Sequence, residues 1–109
     1  CAYWKEQCAV TGITIPQMLR ASHAKPWAEC ESDSERLNVY NGFLLAAHLD
    51  ALFDTGLISF NDTGSIMISS MLPSAELKLL SIDQTTTLRW IDSRHIPFLS
   101  WHREKVFIK

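Results

Sequence analysis

Residues 41–60 read NGFLLAAHLDALFDTGLISF. Two turn-forming residues, Asn41 and Gly42, lead into the short apolar run 42–46. Residues 47–54 then change period. Leu49, Leu52 and Phe53 fall at i, i+3 and i+4, which predicts one apolar helix face, and Gly56 is a suitable stop. Residues 57–60 (LISF) and 65–69 (SIMIS) flank NDTG, a strong hairpin signal.

Upstream, residues 1–7 read as the last turns of a helix, and CAVTG (8–12) as a short strand entering a turn. Residues 13–17 form a loop containing Pro16, and 18–22 read as a second strand that pairs with the first as an irregular hairpin. Residues 24–37 are a polar loop with one turn near Ser34–Leu37. Downstream, Pro73 and Ser74 start a short helix through Leu80. Residues 82–92 suit no single element. Ser93 is a candidate cap for a last helix from Arg94 to about Phe107, with Pro97 in its first turn. The fold class expected is α+β.

A chain of 109 residues and 12.4 kDa is one domain. It opens on Cys1, not Met, which predicts a C-terminal piece of a longer protein. No apolar run is long enough to span a bilayer, so no membrane partner is expected. Three cysteines make neither an even disulfide set nor a CxxC pair. They exclude a four-Cys zinc site and predict reduced thiols in a cytoplasmic protein. Neither Cys8 nor Cys30 has the context of a hydrolase nucleophile.

Ten Lys and Arg against twelve Asp and Glu give a net charge of −2, which argues against a surface that binds nucleic acid all over. The distribution is uneven. Residues 29–35 (ECESDSE) hold acids only, whereas the tail from Arg94 carries Arg103, Lys105 and Lys109 against Glu104. That tail is either a local basic face or a solvated helix face.

Four polar groups stand where packing does not require them: His23, Asn41, Asp50 and Asp54. Asp50 and Asp54 are four apart on the predicted helix, so their carboxylates share a face and repel unless a cation lies between them. A hard divalent ion prefers such oxygens. His48, two before Asp50, lies about 200° away on a helix and joins such a site only if the helix begins after it. Plain readings exist for each: a structural histidine, a turn asparagine, a solvated acidic face.

The order of these pieces adds weight. SHAKPW (22–27), ERLNVYNGFLL (35–45) and HLDALFDTGLISF (48–60), preceded by CAVTG, resemble the HNH endonuclease family. The likeness is to a bacterial, restriction-type branch reading roughly CAVTG, AAHIKPW, NGLLL and LFDRGLI. The C-terminal FLSWHREKVF (98–107) is also similar to the end of such domains.

The resemblance implies a ββα-metal (His-Me finger) core, here with an added β-hairpin and C-terminal helices. It implies metal-dependent hydrolysis of DNA phosphodiester bonds. His23 matches the family's general base, and Asn41 the asparagine that orients the loop bearing that base. Asp50 stands where the family usually has its last histidine, and Asp54 where colicin-type members carry a second helix ligand; His48 is displaced two residues earlier. Ser22 replaces a frequent Asp or His ligand. The carboxylate-rich set favours Mg²⁺ or Mn²⁺ over Zn²⁺ as the one divalent cation.

Arg20, Lys25, Arg94, Arg103 and Lys105 are candidate phosphate contacts, and His102 either faces DNA or packs beside Trp101. Nothing resembles a base-reading helix, so recognition is expected in an N-terminal domain of the full-length chain. Double-strand cutting by a single-site nuclease needs two active sites, so a homodimer is one expected assembly. The competing function is an HNH-fold module, impaired in cleavage, that binds DNA or a protein partner.

Overall fold

A computed structural model describes residues 4, 7–25, 27–36 and 38–109; the expected helix over 1–7 falls mostly outside them. The apolar run becomes strand β2 (Gly42–Ala46), with Phe43, Leu44, Leu45 and Ala46 all buried, as a run apolar on both faces requires. Its partner is β1 (Leu19–His23), antiparallel, in a register that sets Leu19 against Ala46 and His23 against Gly42. One turn of helix, α1 (Asp33–Arg36), lies in the connection between them.

This corrects the expected pairing of 8–12 with 18–22. CAVTG is a turn. The Cys8 sulfur accepts the main-chain N–H of Val10 and Thr11, both at 3.4 Å, and Gly12 closes the turn at φ +78°. The turn sits on the other edge of β2. There the Ala9 N–H donates to the Leu44 carbonyl at 2.6 Å, and the Ala46 N–H donates to the Cys8 sulfur at 3.2 Å. Burial raises the Cys8 pKa, but the donors from Thr11, Val10 and Ala46 outweigh it and hold the thiol below its ordinary value.

β2 runs straight into α2 (Ala47–Asp54), whose buried face is Leu49, Leu52 and Phe53, as the periodicity predicts. Gly56 ends it at φ +82°. The Gly56 N–H donates to the Phe53 carbonyl and the Leu57 N–H to the Leu52 carbonyl, the paired bonds of a Schellman stop. A Cβ on Gly56 would overlap the Val106 carbonyl oxygen, so the same glycine lets the C-terminal segment approach.

Strands β3 (Ile58–Phe60) and β4 (Ile66–Ile68) form the second hairpin. In its turn the Asn61 side chain accepts the N–H groups of Thr63 and Ser65 at 2.9 and 3.1 Å. The helix expected from Ser74 is α3 (Ser74–Leu79). Residues 82–92, ambiguous in sequence, bridge two parts of the fold. The Ile66 N–H donates to the Thr86 carbonyl, and the Arg89 side chain donates to the carbonyls of Cys8 and Trp4 at 2.8 and 3.3 Å.

The last helix is α4 (Ile96–Lys105), preceded by a 3₁₀ turn at Ser93–His95. Its cap is Asp92 rather than Ser93. The Asp92 carboxylate accepts the Arg94 N–H, while the Asp92 N–H donates to Nδ1 of His95 at 2.8 Å. His102 does not face DNA. It is 1% exposed, stacks on Phe53 at 3.8 Å, and bridges two elements. The Phe53 carbonyl can only accept, so Nε2–H donates to it at 2.7 Å and Nδ1 accepts the Ser59 hydroxyl at 2.7 Å. His102 is thereby a neutral strut joining α4 to α2 and β3.

Two predictions follow from these contacts. Gly56→Ala combines a left-handed backbone with a clash against fixed main chain. It should cost well over ~2 kcal/mol in urea unfolding or abolish folding. Gly12→Ala meets nothing closer than the Arg89 side chain at 4.0 Å and should cost only about 1 kcal/mol.

Stability should also fall in acid. Burial lowers the pKa of both His95 and His102 below the usual ~6.5. Above pH ~6.5 each is neutral folded and unfolded; below it the unfolded chain binds protons that the folded chain refuses, so stability drops as pH falls. The expected slope is at most about 1.4 kcal/mol per pH unit per histidine, read as the urea midpoint between pH 8 and 5. His102→Gln should be less stable at pH 8 and show a shallower acid loss; an unchanged slope would refute the assignment.

Candidate active site

His23 ends β1 and is half-buried. Burial lowers its pKa, so at neutral pH its imidazole is neutral and able to take a proton. The residues that follow it are fixed by Asn41, which is fully buried at the end of a 3₁₀ turn (Val39–Asn41). The Asn41 Oδ1 accepts the Lys25 N–H at 2.7 Å, and its Nδ2 donates to the Lys25 carbonyl at 2.9 Å. The Ala24 N–H donates to the Asn41 carbonyl at 3.0 Å. The ladder between β1 and β2 is thus extended past His23 by one main-chain bond and one side-chain pair. Cys30, also buried, donates its thiol to the same Lys25 carbonyl at 3.6 Å. On the opposing strand, the Trp4 indole N–H holds the Gly42 carbonyl at 2.9 Å.

The register places α2. It begins beside the Leu19 end of the hairpin and packs back along β1 and β2. Its eight residues span about 12 Å against about 16 Å for five strand residues. Phe53 near its end reaches the Phe43 ring, 5.9 Å between centroids and one residue from Gly42. The C-terminal half of α2 therefore returns toward the end of the hairpin that carries His23. Ser22, 4% exposed, shares the face of its partner Phe43, while His23 and Gly42 belong to the other face of the pleat.

Asp50 is half-buried on one flank of α2 and Asp54 is exposed one turn further on. His48 is on the opposite flank. The helix starts at Ala47, before His48, so the condition under which His48 joins Asp50 is not met. Among the described residues no three His, Cys, Asp or Glu side chains converge on one point. An all-protein cage of three or four ligands is therefore not built from them. A hydrated Mg²⁺-type ion asks less: one or two carboxylates, with water and substrate phosphate completing the shell. Asp50 and Asp54 match that donor chemistry.

The basic candidates divide. Arg103 donates to the Phe60 carbonyl at 2.8 Å and to Asp62 at 2.6 Å, which ties α4 to the second hairpin. Arg94 makes a two-pronged pair with Asp92 at 2.8 and 2.9 Å and lies 4.4 Å above the Tyr40 ring. Half of the basic tail is thus engaged with carboxylates inside the domain. Arg20 is exposed on β1 and donates to the carbonyls of Gln17 and Leu19. Lys25, two residues after His23, holds its ammonium 5.8 Å from the Trp101 ring. Lys105 is exposed near the end of α4.

Sequence reasoning passed over His95 and Trp4. Both are fully buried, and they pack together behind Asn41 and Gly42. A D-x-x-H pattern at Asp92–His95 is a weak local hint of the cap. Nothing local signals the ring packing, which joins residues some ninety positions apart.

Comparison with known proteins agrees with this geometry. Residues 8–61 match the model of an HNH endonuclease family. No curated protein sequence gives a significant match. Among solved structures, one described as a modification-dependent TagI restriction endonuclease superposes with a TM-score of 0.63 at 18% identity. The match covers 96% of this chain and 35% of that one, so the chain spans about a third of its neighbour's length. The neighbour shows the shared fold, and the hairpin–helix unit of β1, β2 and α2 is consistent with a ββα-metal core. Through residues 8–61, the chain belongs to the HNH endonuclease family.

Proposed function

We propose that this domain is the nuclease module of a restriction-type enzyme and hydrolyses DNA phosphodiester bonds with His23 as general base. The observation that carries this reading is the Asn41 clamp on Lys25, which pins the chain directly after a neutral, half-buried histidine. A base must be held still within hydrogen-bond reach of the attacking water, and neutral before it can take a proton. Asn41 supplies the first condition and burial the second.

Asp50, with Asp54 beside it, would hold a divalent cation, Mg²⁺ or Mn²⁺ in preference to Zn²⁺. Such an ion supplies charge stabilisation at the phosphate. Arg20, Lys25 and Lys105 are the phosphate contacts this reading favours; Arg94 and Arg103 would have to leave their carboxylates to take part. Target recognition would belong to another, N-terminal part of a longer protein, and a homodimer would supply the second site for double-strand cutting. The described residues include no helix long and apolar enough to cross a membrane.

The absence of a three-ligand cluster among the described residues favours a second reading, a domain that holds DNA without cutting it. Plasmid cleavage by the purified chain in Mg²⁺, Mn²⁺ or EDTA, beside His23→Ala, separates the two. Cation-dependent cutting should fall by at least about 100-fold in His23→Ala, with DNA binding by gel shift retained. Full activity in that variant would remove His23 from the mechanism. DNA binding without cutting in any cation would establish the second reading.

A further inference from the structure

His95 lies outside the matched stretch 8–61, and the reaction assigns it no role. Yet it is fully buried within a shell of four rings. Tyr40 meets it edge-on at 5.2 Å, and Phe43 lies tilted to it at 5.4 Å. Trp4 and Trp90 follow at 5.6 and 5.9 Å. Its Nδ1 accepts the Asp92 N–H, and Asp92 is in turn gripped by Arg94, which covers the outer face of Tyr40. The ring is therefore locked on its own side by a cap and presses on the hairpin with its faces and edges.

The positions it touches surround the clamp. Tyr40 immediately precedes Asn41, and Phe43 follows Gly42. Trp4 fixes the Gly42 carbonyl opposite His23. Asn41 has to keep its amide coplanar with the Lys25 main chain to make both bonds, so its own backbone must be held on either side. Ring packing of this kind adds to burial, and four rings around one imidazole together favour one position for the turn.

We infer that His95 is a positioning residue: its ring, delivered by the C-terminal segment, packs against Tyr40 and Phe43 on either side of Asn41 and Gly42, so that Asn41 can clamp the loop after His23. The inference rests on the reading of His23 and Asn41 as the working pair. Its test therefore includes a measurement independent of cleavage.

The measurement is amide hydrogen exchange at Lys25, whose N–H is bonded to Asn41, with Ile66 in the second hairpin as the distant control. It is made on the folded 109-residue chain. His95→Gln keeps an acceptor for Asp92 but loses the ring; His95→Phe keeps a ring and loses the acceptor. Lys25 exchange should speed at least tenfold in His95→Gln with Ile66 unchanged, and His95→Phe should restore most of the protection. Where the chain cuts DNA, kcat should fall in the same order, with KM little changed.

Unchanged Lys25 exchange in a folded His95→Gln overturns the inference, as does equal loss in His95→Phe. If His95→Gln does not fold, Tyr40→Ala breaks the same link at a half-buried side chain, and unchanged Lys25 exchange there overturns it equally. A chain that never cuts DNA defeats the nuclease reading and leaves the exchange result to judge His95.

Discussion

Two hydrogen bonds between one buried amide and the main chain of one residue organise this domain. The Asn41 side chain both accepts from and donates to the main chain of Lys25, the way a neighbouring strand would. An asparagine amide carries donor and acceptor on one plane, which is why this residue type can imitate a peptide. The consequence is that antiparallel pairing does not stop at His23. The polar loop that follows β1 leaves the strand along a fixed path, and His23 has clamped chain on its C-terminal side. Truncating Asn41 would remove both bonds from the half-buried Lys25 main chain, at a cost of roughly 1–3 kcal/mol.

Around that clamp, the four histidines divide by environment. His95 and His102 are fully buried and neutral, each with a nitrogen committed to the main chain. Their work is packing: one ring sits in an aromatic shell behind Asn41, and the other is stacked on Phe53. His23 is only half-buried at the end of a strand, and His48 sits on the flank of α2 away from Asp50. The same residue type serves as strut and as candidate base because the surroundings decide how deeply its ring is buried.

The charges are redistributed by the same folding. In sequence the C-terminal tail looks like a basic face. In the structure Arg103 and Arg94 are paired with Asp62 and Asp92, acids that lie outside or at the edge of that tail. These pairs connect elements: Arg103 joins α4 to the second hairpin, and Arg94 joins the cap of the 3₁₀ turn to Tyr40. Arg20 and Lys25 lie on either side of His23, on β1 and its continuation.

What was legible in the chain was local. The helix at 47–54, its glycine stop and the hairpin around NDTG depend on neighbours within a few residues, so period and turn chemistry suffice to read them. The order SHAKPW, NGFLL, LFDTGLI was enough for the family. The pairing of β1 with β2 was not legible, because their partners are separated by residues 24–41 and CAVTG carries an equally strand-like pattern. Only the fold shows that the Cys8 sulfur gathers N–H groups into a turn instead. The same holds for the pairing of Arg103 with Asp62, and for the ring of residues that brings His95 to Asn41. Those outcomes depend on contacts between distant segments, which form only when burial of the shared core brings the segments together.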